Sequence, residues 1–519
     1  MNKPRVDNDQ PLPAGAQAAS SGVKKWLTLI EAYDKEFDAW NRRCDKIARI
    51  YSEQRKTEGS IERHMSMLWS NISTLQPAIY AKCPEASVNR RFKDDDPVAR
   101  TASELVERCI KYTFDDDDFD AGMISVRDEF LLFGRGCKWV RYEADLEPLE
   151  DEGGNPLNER GEPLDPDAED EQGEKIAGEA IHYDFVTRRD FGHSVARTWR
   201  EVKTVWRKVY MARDELVERF GEEKGSLVPL DHKKDEDSQT ASGEDTEAKA
   251  TVYEIWDKPS HKVIFIAKMG DKVLDESEPY LTLKGFFPCP KPAYGTLRPH
   301  SLVPVPDYVF YQDQVEEIDD LTARIGHLTD QLKIAGLFPS GAGDSTAAIE
   351  RIAQPGVENV LVPVPNWSQF KEGGGTRGLI EWWPVDMVIK VLEGCFTTRK
   401  QLIDDVYQIT GISDIMRGDG DANETASAQN LKSQWGSVRI RDRQKVLAKF
   451  ARDCARIAGD IIADKFQPET LLQMSNMQLP TQAYLDQQAM MQQQAALQQQ
   501  AMQAQQMPPQ GAPQPQMVA

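Results

Sequence analysis

Asp419, Asp421 and Asn423 form a D-x-D-x-N array of the kind that opens a calcium loop. The sixth place of that loop holds Glu424 where a sharp turn needs glycine, and the twelfth holds Asn430 where a bidentate glutamate belongs. Calcium binding is therefore not expected. Asp115 to Asp118, with Asp120, offer carboxylates for a divalent ion, but consecutive side chains cannot all converge on one point, and a solvated acidic loop ending a helix is the better reading. The run GGGTRG from Gly373 is followed neither by the Lys-Ser/Thr of a nucleotide loop nor by a helix, which favours a turn between two strands. The 7 histidines are scattered without an HExxH pattern or any pair at ligand spacing, and G-x-S-x-G is absent. These residues predict no enzyme, no metal centre and no cofactor.

Charge and cysteine usage narrow the partners. The net charge of -22 argues against a surface that grips nucleic acid through its phosphates, which needs clustered Lys and Arg. Acidity of this size also keeps a large protein soluble. The 7 cysteines are odd in number and never at CxxC distance, which fits a reducing compartment without a disulfide framework. No run approaches the roughly 18 apolar residues of a membrane-spanning helix, so no membrane partner is expected. Hydrophobic residues make up 40%, slightly low for so long a chain, as expected where parts are disordered or buried only in an oligomer.

The elements around these residues are mostly helical. Trp26, Ile30, Tyr33, Phe37 and Trp40 recur at steps of three and four, and Met65, Leu68, Trp69, Ile72 and Leu75 continue to a break at Pro77. An apolar helix from Ser125 to Gly134 leads into a strand from Cys137 to Tyr142. Residues 143–179 are dense in Glu, Asp, Pro and Gly and read as an insertion that cannot order itself, as does the acidic run 231–247. Strands are predicted at His182–Val186, Val202–Tyr210, Thr251–Trp256 and Lys262–Ala267. Further on, Tyr311, Val315, Ile318, Leu321, Ile325, Leu328 and Leu332 make a narrow apolar stripe with the neighbouring acids turned largely away. A short module with strand-like Asn359–Val364 and Leu379–Trp383 follows, and helix periodicity returns through Val388, Leu392, Cys395, Leu402, Val406 and Ile409. Gly411 stops that helix, a Gly/Asp-rich loop follows, and a longer helix runs through Leu447, Phe450, Cys454, Ile457 and Ile461. The tail is built from Gln, Ala and Met, all good helix formers, and reads either as a bundled helix or as disorder.

The order helix, short mixed module, helix, loop, long helix resembles the stem, clip, second stem helix, tunnel loop and wing helix of tailed-bacteriophage portal proteins. The run FVTRRDFGHSVARTWREVKTVWRKVYMARDELVERFG looks like the wing of the short-tailed phage type, with Val186, Asp190 and Phe191 in its strand phrase. VYQITGISDIMRGDGDANETASAQN is similar to the end of the second stem helix and its loop. The resemblance implies a mixed α+β portal fold. Its parts are a flexible segment 1–22, a wing over 23–306 (helical, then β-rich), a stem helix over 307–332 and a clip over 333–384. A second stem helix over 385–410, a tunnel loop over 411–423, a wing/crown helix over 424–466 and a helical or disordered tail over 467–519 complete it.

By the same resemblance the chain is a subunit of a ring-shaped channel, usually a dodecamer, in the virion at a capsid vertex, assembled in the host cytoplasm. Implied partners are the terminase large subunit, tail adaptor proteins, capsid and scaffolding proteins, and double-stranded DNA passing through with weak contact. The loop residues expected to face DNA are Ser413, Asp414, Arg417, Asp419, Asp421 and Asn423, with Arg417 the one able to touch phosphate. The stem stripes give the expected subunit contacts: Val315, Ile318, Leu321, Ile325, Leu328 and Val406, taken to lack partners within one chain. Alternatives are a head–tail adaptor or scaffolding protein, which is generally shorter, or a carboxylate-dependent nuclease or terminase subunit. Arg439, Arg441, Arg443, Lys445, Lys449, Arg452 and Arg456 crowd the long helix. They are expected to pair with Asp442, Asp453 or an adjacent subunit's acidic stem face rather than to bind DNA.

Overall fold

Trp26, Ile30, Tyr33, Phe37, Trp40, Cys44 and Ile47 alternate at steps of four and three, and all seven are buried, so Ser21–Tyr51 forms a helix (α1) with one face in the core. The computed structural model describes residues 21–53, 63–90, 97–150, 156–158, 173–231, 248–332, 336–337, 381–382, 385–412, 426–477 and 490–491. Three further helices, α2 (Met67–Ile79), α3 (Pro97–Asp116) and α4 (Phe119–Phe133), precede the strands β1 (Arg135–Pro148), β2 (Glu174–Val186), β3 (Phe191–His193) and β4 (Thr204–Met211). Short helices α5 (Arg213–Phe220) and α6 (Glu222–Gly225) lead to β5 (Ala250–Asp257), β6 (Lys262–Ala267), β7 (Val273–Ser277), β8 (Ala293–Tyr294), β9 (Thr296–Leu297) and β10 (Pro304–Val305). A 3-10 turn at Asp307–Phe310 opens α7 (Gln312–Gln331), and then come β11 (Gly336–Leu337), β12 (Glu381–Trp382), α8 (Val385–Thr410), α9 (Ala426–Lys465) and α10 (Pro468–Ser475). The fold is mixed α+β, and among the described residues no helix is long and apolar enough to cross a membrane.

Two units are interleaved along the chain. The first takes residues 1–84, 117–141 and 182–460, and the second takes 85–116, 142–181 and 461–519. The first unit holds a five-stranded sheet in the order β3-β4-β5-β6-β7, antiparallel throughout, with Trp206 opposite Ile255 and Ile255 opposite Ile264. Every residue of the central strand β5 is buried, as expected of a strand covered on both faces. The β1 strand pairs antiparallel with β8, with Arg135 opposite Tyr294, and its other neighbour is β2.

The first unit encloses charged side chains and gives most of their polar atoms partners, leaving Arg135 Nε and Glu129 Oε2 without one among the described residues. Arg135 is buried and donates to the Tyr33 hydroxyl (2.7 Å) and the Arg188 carbonyl (2.8 Å), and its guanidinium lies 4.6 Å from the Trp40 ring centroid. Tyr33 donates onward to the Phe191 carbonyl (3.1 Å), and Trp40 Nε1 to the Phe133 carbonyl (3.0 Å). Lys138 donates to the Phe119 carbonyl (3.1 Å) and sits 4.1 Å above that residue's ring, and burial draws its ammonium down to about 8. Glu129 Oε1 accepts the Arg188 backbone N–H (3.1 Å), its Oε2 has no hydrogen-bond partner among the described residues, and burial raises the carboxyl to about 7.

In the second unit α10 packs on α3, where Cys109 Sγ donates to the Leu471 carbonyl (3.8 Å) and Arg108 to the Ser475 carbonyl (3.2 Å). Glu179 is buried there, accepting from the Tyr142 hydroxyl (2.8 Å) and from the Gln467 N–H (2.8 Å).

Several expectations change. The insertion read as 143–179 is not wholly irregular, since β1 continues to Pro148 and β2 begins at Glu174. Ladder hydrogen bonds come from the backbone and need no apolar side chains, which is what the composition argument overlooked. Pro77 sits inside α2, in its last turn, rather than breaking it; the helix ends two residues later. At the start of the tail α10 follows position 467 at once, and most of the Gln-rich run beyond it lies outside the described residues. The flexible lead lies outside the described residues up to position 20, and α1 already starts at Ser21. The acidic run 232–247, the strand at Asn359–Val364 and the glycine turn at 373–375 also lie outside the described residues.

Candidate functional site

The long helices of the first unit carry the features singled out in the sequence. The chain leaves α7, and Gly336 and Leu337 pair antiparallel with Trp382 and Glu381 before α8 begins. This short ladder clamps the two ends of the 333–384 module, so α8 returns along α7, with Arg399 Nη1 donating to Thr322 Oγ1 (3.4 Å) part-way along.

That return changes the reading of the apolar stripes. Val315, Ile318, Ile325, Cys395 and Val406 are buried within one chain, while Leu321 and Leu328 are half-buried. The expectation that Ile318, Leu321, Ile325 and Val406 lack partners within one chain is therefore corrected: each helix supplies cover for the other. The exposed apolar side chains of α8 are Met387, Ile389, Val391 and Phe396, off the stripe, and Ile409 at its end. The expected loop residues Ser413, Asp414, Arg417, Asp419, Asp421 and Asn423 lie outside the described residues.

The root of that loop is described. Gly411 closes α8 with a positive φ of 71°, its N–H donating to the Tyr407 carbonyl (2.8 Å). Arg439 from α9 donates to the Ile409 carbonyl (3.0 Å), a cation at the negative end of α8. A Cβ on Gly411 would stand 2.7 Å from that guanidinium, so the glycine serves both the turn and the close approach of α9. Arg443, one turn on, pairs with Asp307 at the entry to α7. Between these contacts lies a cavity of about 410 Å³ lined by Leu75, Leu131, Tyr311, Ile409, Ile412 and Arg439, among others.

The remaining cations of α9 point away from its buried Leu447, Phe450 and Cys454 face. Lys445 pairs with Asp442 (3.1 Å) and Arg452 with Asp453 (2.8 Å), both exposed. Lys449 and Arg456 have no carboxylate within ion-pair distance among the described residues.

The acidic run ends α3 but does not gather round one point. Asp117 accepts from the Tyr183 N–H (2.6 Å) and faces His182 Nδ1 (2.7 Å), Asp118 caps α4 through the Ala121 N–H (3.3 Å), and Asp120 accepts from the Tyr80 hydroxyl (2.6 Å). Among the described residues no group of three or more His, Cys, Asp or Glu is arranged to hold a metal ion. Sequence reasoning missed Lys291, whose loop runs beside α9, and the Asp307–Arg443 pair. Neither has a periodic signal, because each joins segments far apart in the chain.

No protein-family model matches the sequence, and a search of curated proteins finds no match.

Proposed function

We propose that the chain is a portal subunit of a tailed bacteriophage of the short-tailed type, a ring-forming, non-enzymatic channel component at a capsid vertex. The observation that carries this reading is the helix pair α7–α8, closed at its far end by the β11–β12 ladder and followed by the long helix α9. In this reading α7 and α8 are the stem, residues 333–384 the clip, residues 411–423 the tunnel loop and α9 the wing/crown helix. The clip meets the terminase large subunit and later the tail adaptors, and capsid and scaffolding proteins surround the wing. The net charge of -22 supports a lumen that repels passing DNA instead of gripping it.

A closed ring needs a heterologous interface, in which one surface meets a different one on the neighbour. Negative-stain images of the purified protein test the reading directly. Rings with a central hole are expected, as is no ATPase or nuclease activity above background. A stable, folded monomer at high concentration overturns it. Arg417→Ala is expected to leave rings intact while changing DNA packaging or retention.

A further inference from the structure

Two rows of like charge on the long helices of the first unit match each other in spacing and opposite sign. On α7, Glu316 pairs with Lys46 (2.9 Å) and Asp319 accepts from the Met65 N–H (2.8 Å), so these two acids are used within the chain. Asp313, Glu317 and Asp320 are not. They are exposed, spaced four and three residues apart, and no cation lies within ion-pair distance of them among the described residues. At 100° per residue the row faces away from the buried Val315, Ile318 and Ile325, with the half-buried Leu321 on its flank.

On α9, Lys449, Arg452 and Arg456 are spaced three and four apart and face away from that helix's buried side. Among the described residues Arg452 pairs with its chain neighbour Asp453 alone, and it stays 58% exposed. Lys291 adds a fourth cation beside them, since Lys284 of the same loop pairs with Asp460 (3.1 Å) on α9. Burial lowers the Lys291 ammonium, and the charge of Lys449 lowers it further.

We propose that the acidic row of α7 in one copy docks antiparallel against the basic row of α9 in a second copy. The inference rests on the ring reading and gives its heterologous contact a register. Reversing one helix turns four-then-three into three-then-four, so Asp313 meets Arg456, Glu317 meets Arg452 and Asp320 meets Lys449. Each row spans about 10 Å at the helical rise. Two like-charge pairs fall in this register: Arg324 opposite Lys445, where Asp442 already lies 3.1 Å from Lys445, and Glu316 opposite Asp453, which already pair with Lys46 (2.9 Å) and Arg452 (2.8 Å). Because every copy carries one row of each sign, the contact propagates from copy to copy. A nucleic acid is the poorer occupant, since Asp442, Asp453 and Asp460 on the same helix would repel phosphates. Exposed ion pairs add little affinity singly, so the rows act mainly on register and encounter rate.

The test uses the full-length chain, followed by sedimentation velocity and negative stain. Glu317→Arg with Asp320→Arg, or Lys449→Glu with Arg452→Glu, is expected to weaken assembly at least ten-fold, and the four changes together to restore it. The neutral pair Glu317→Gln with Asp320→Asn is expected to weaken assembly less and to reduce its salt dependence, which guards against a misfolded reversal. Rings that persist through both reversals overturn the pairing and leave the ring reading standing. Reversals that break assembly without mutual rescue also overturn it. Loss of duplex-DNA binding with assembly intact replaces the second copy by nucleic acid as the occupant. A wild-type chain that never assembles removes both readings.

Discussion

The polar interior around Arg135 and the charge rows on α7 and α9 use the same residue types under opposite conditions. Arg135 and Lys138 have given up water, and carbonyls and aromatic faces replace it within the chain. Lys449, Arg456 and Glu317 keep their water and have no ion-pair partner among the described residues. The first arrangement specifies how α1, α4 and β1 fit together, because a buried donor must find its acceptor or lose stability. The second specifies nothing within the chain and is free to meet another surface.

The largest effect should come from breaking the interior. Trp40 is fully buried, packs on the Arg135 guanidinium and donates to the Phe133 carbonyl. Trp40→Ala should cost about 3–5 kcal/mol, read by urea or guanidinium unfolding. A loss under about 1 kcal/mol would mean the cage is not a cooperative core.

Glu129 sharpens the comparison through pH. Its folded carboxyl sits at about 7 and its ordinary value is 4.5, so the folded state holds the proton across that interval while the unfolded state has released it. Stability from this group is present below about pH 4.5 and is lost as pH rises through 7. The charged groups facing it are Arg135 and Arg188, which favour the anion, and Asp190, which opposes it. Glu129→Gln should therefore raise stability at pH 8 by on the order of 2 kcal/mol relative to wild type, with the difference vanishing near pH 4. Thermal melts of both proteins across pH 4 to 8 check this, and a difference independent of pH would place the effect elsewhere.

How much of this was legible beforehand follows from the range of the interactions. The α1 stripe and the bounds of α8 at Val385–Thr410 rest on periodicity, which needs only neighbours three and four apart. The partner of each stripe does not. The 336–382 ladder joins residues 46 positions apart, and although Leu379–Trp383 reads as strand-like, nothing in the sequence marks Gly336 and Leu337 as its partner. Lys138 looked like an ordinary strand residue and Arg135 like a turn residue between Gly134 and Gly136, because the ring faces that hold them come from Trp40, Phe119 and Phe191 on other elements. The carboxylates were placed correctly on a helix end, but the uses of Asp117, Asp118 and Asp120 were invisible until their three separate partners came into place.

Between the two extremes stands the α7–α8 pair, apolar inside and charged outside. Ile318 is fully buried there. Ile318→Val should cost about 0.5–1.5 kcal/mol, less than any change in the Arg135 cage and independent of pH and salt. Hydrogen exchange on α7 would show the loss locally, and an unchanged exchange profile would mean that α8 does not cover α7 in solution.

The smallest effect on folding should come from the outer rows, and there the comparison is tested most sharply. Asp313 and Arg456, which meet in the proposed register, are exposed and make no ion pair among the described residues, so Asp313→Asn and Arg456→Gln should each leave the chain's own stability within about 0.5 kcal/mol. If the rows meet only between copies, the same two changes should make assembly less sensitive to salt, because screening acts on charges that are no longer present. A double-mutant cycle measured by sedimentation at about 50 and 300 mM salt separates the possibilities. Coupling between the two positions at low salt, fading at high salt, is the expected outcome. A loss of unfolding stability with no change in assembly would show instead that these charges work inside one chain, as those around Arg135 do.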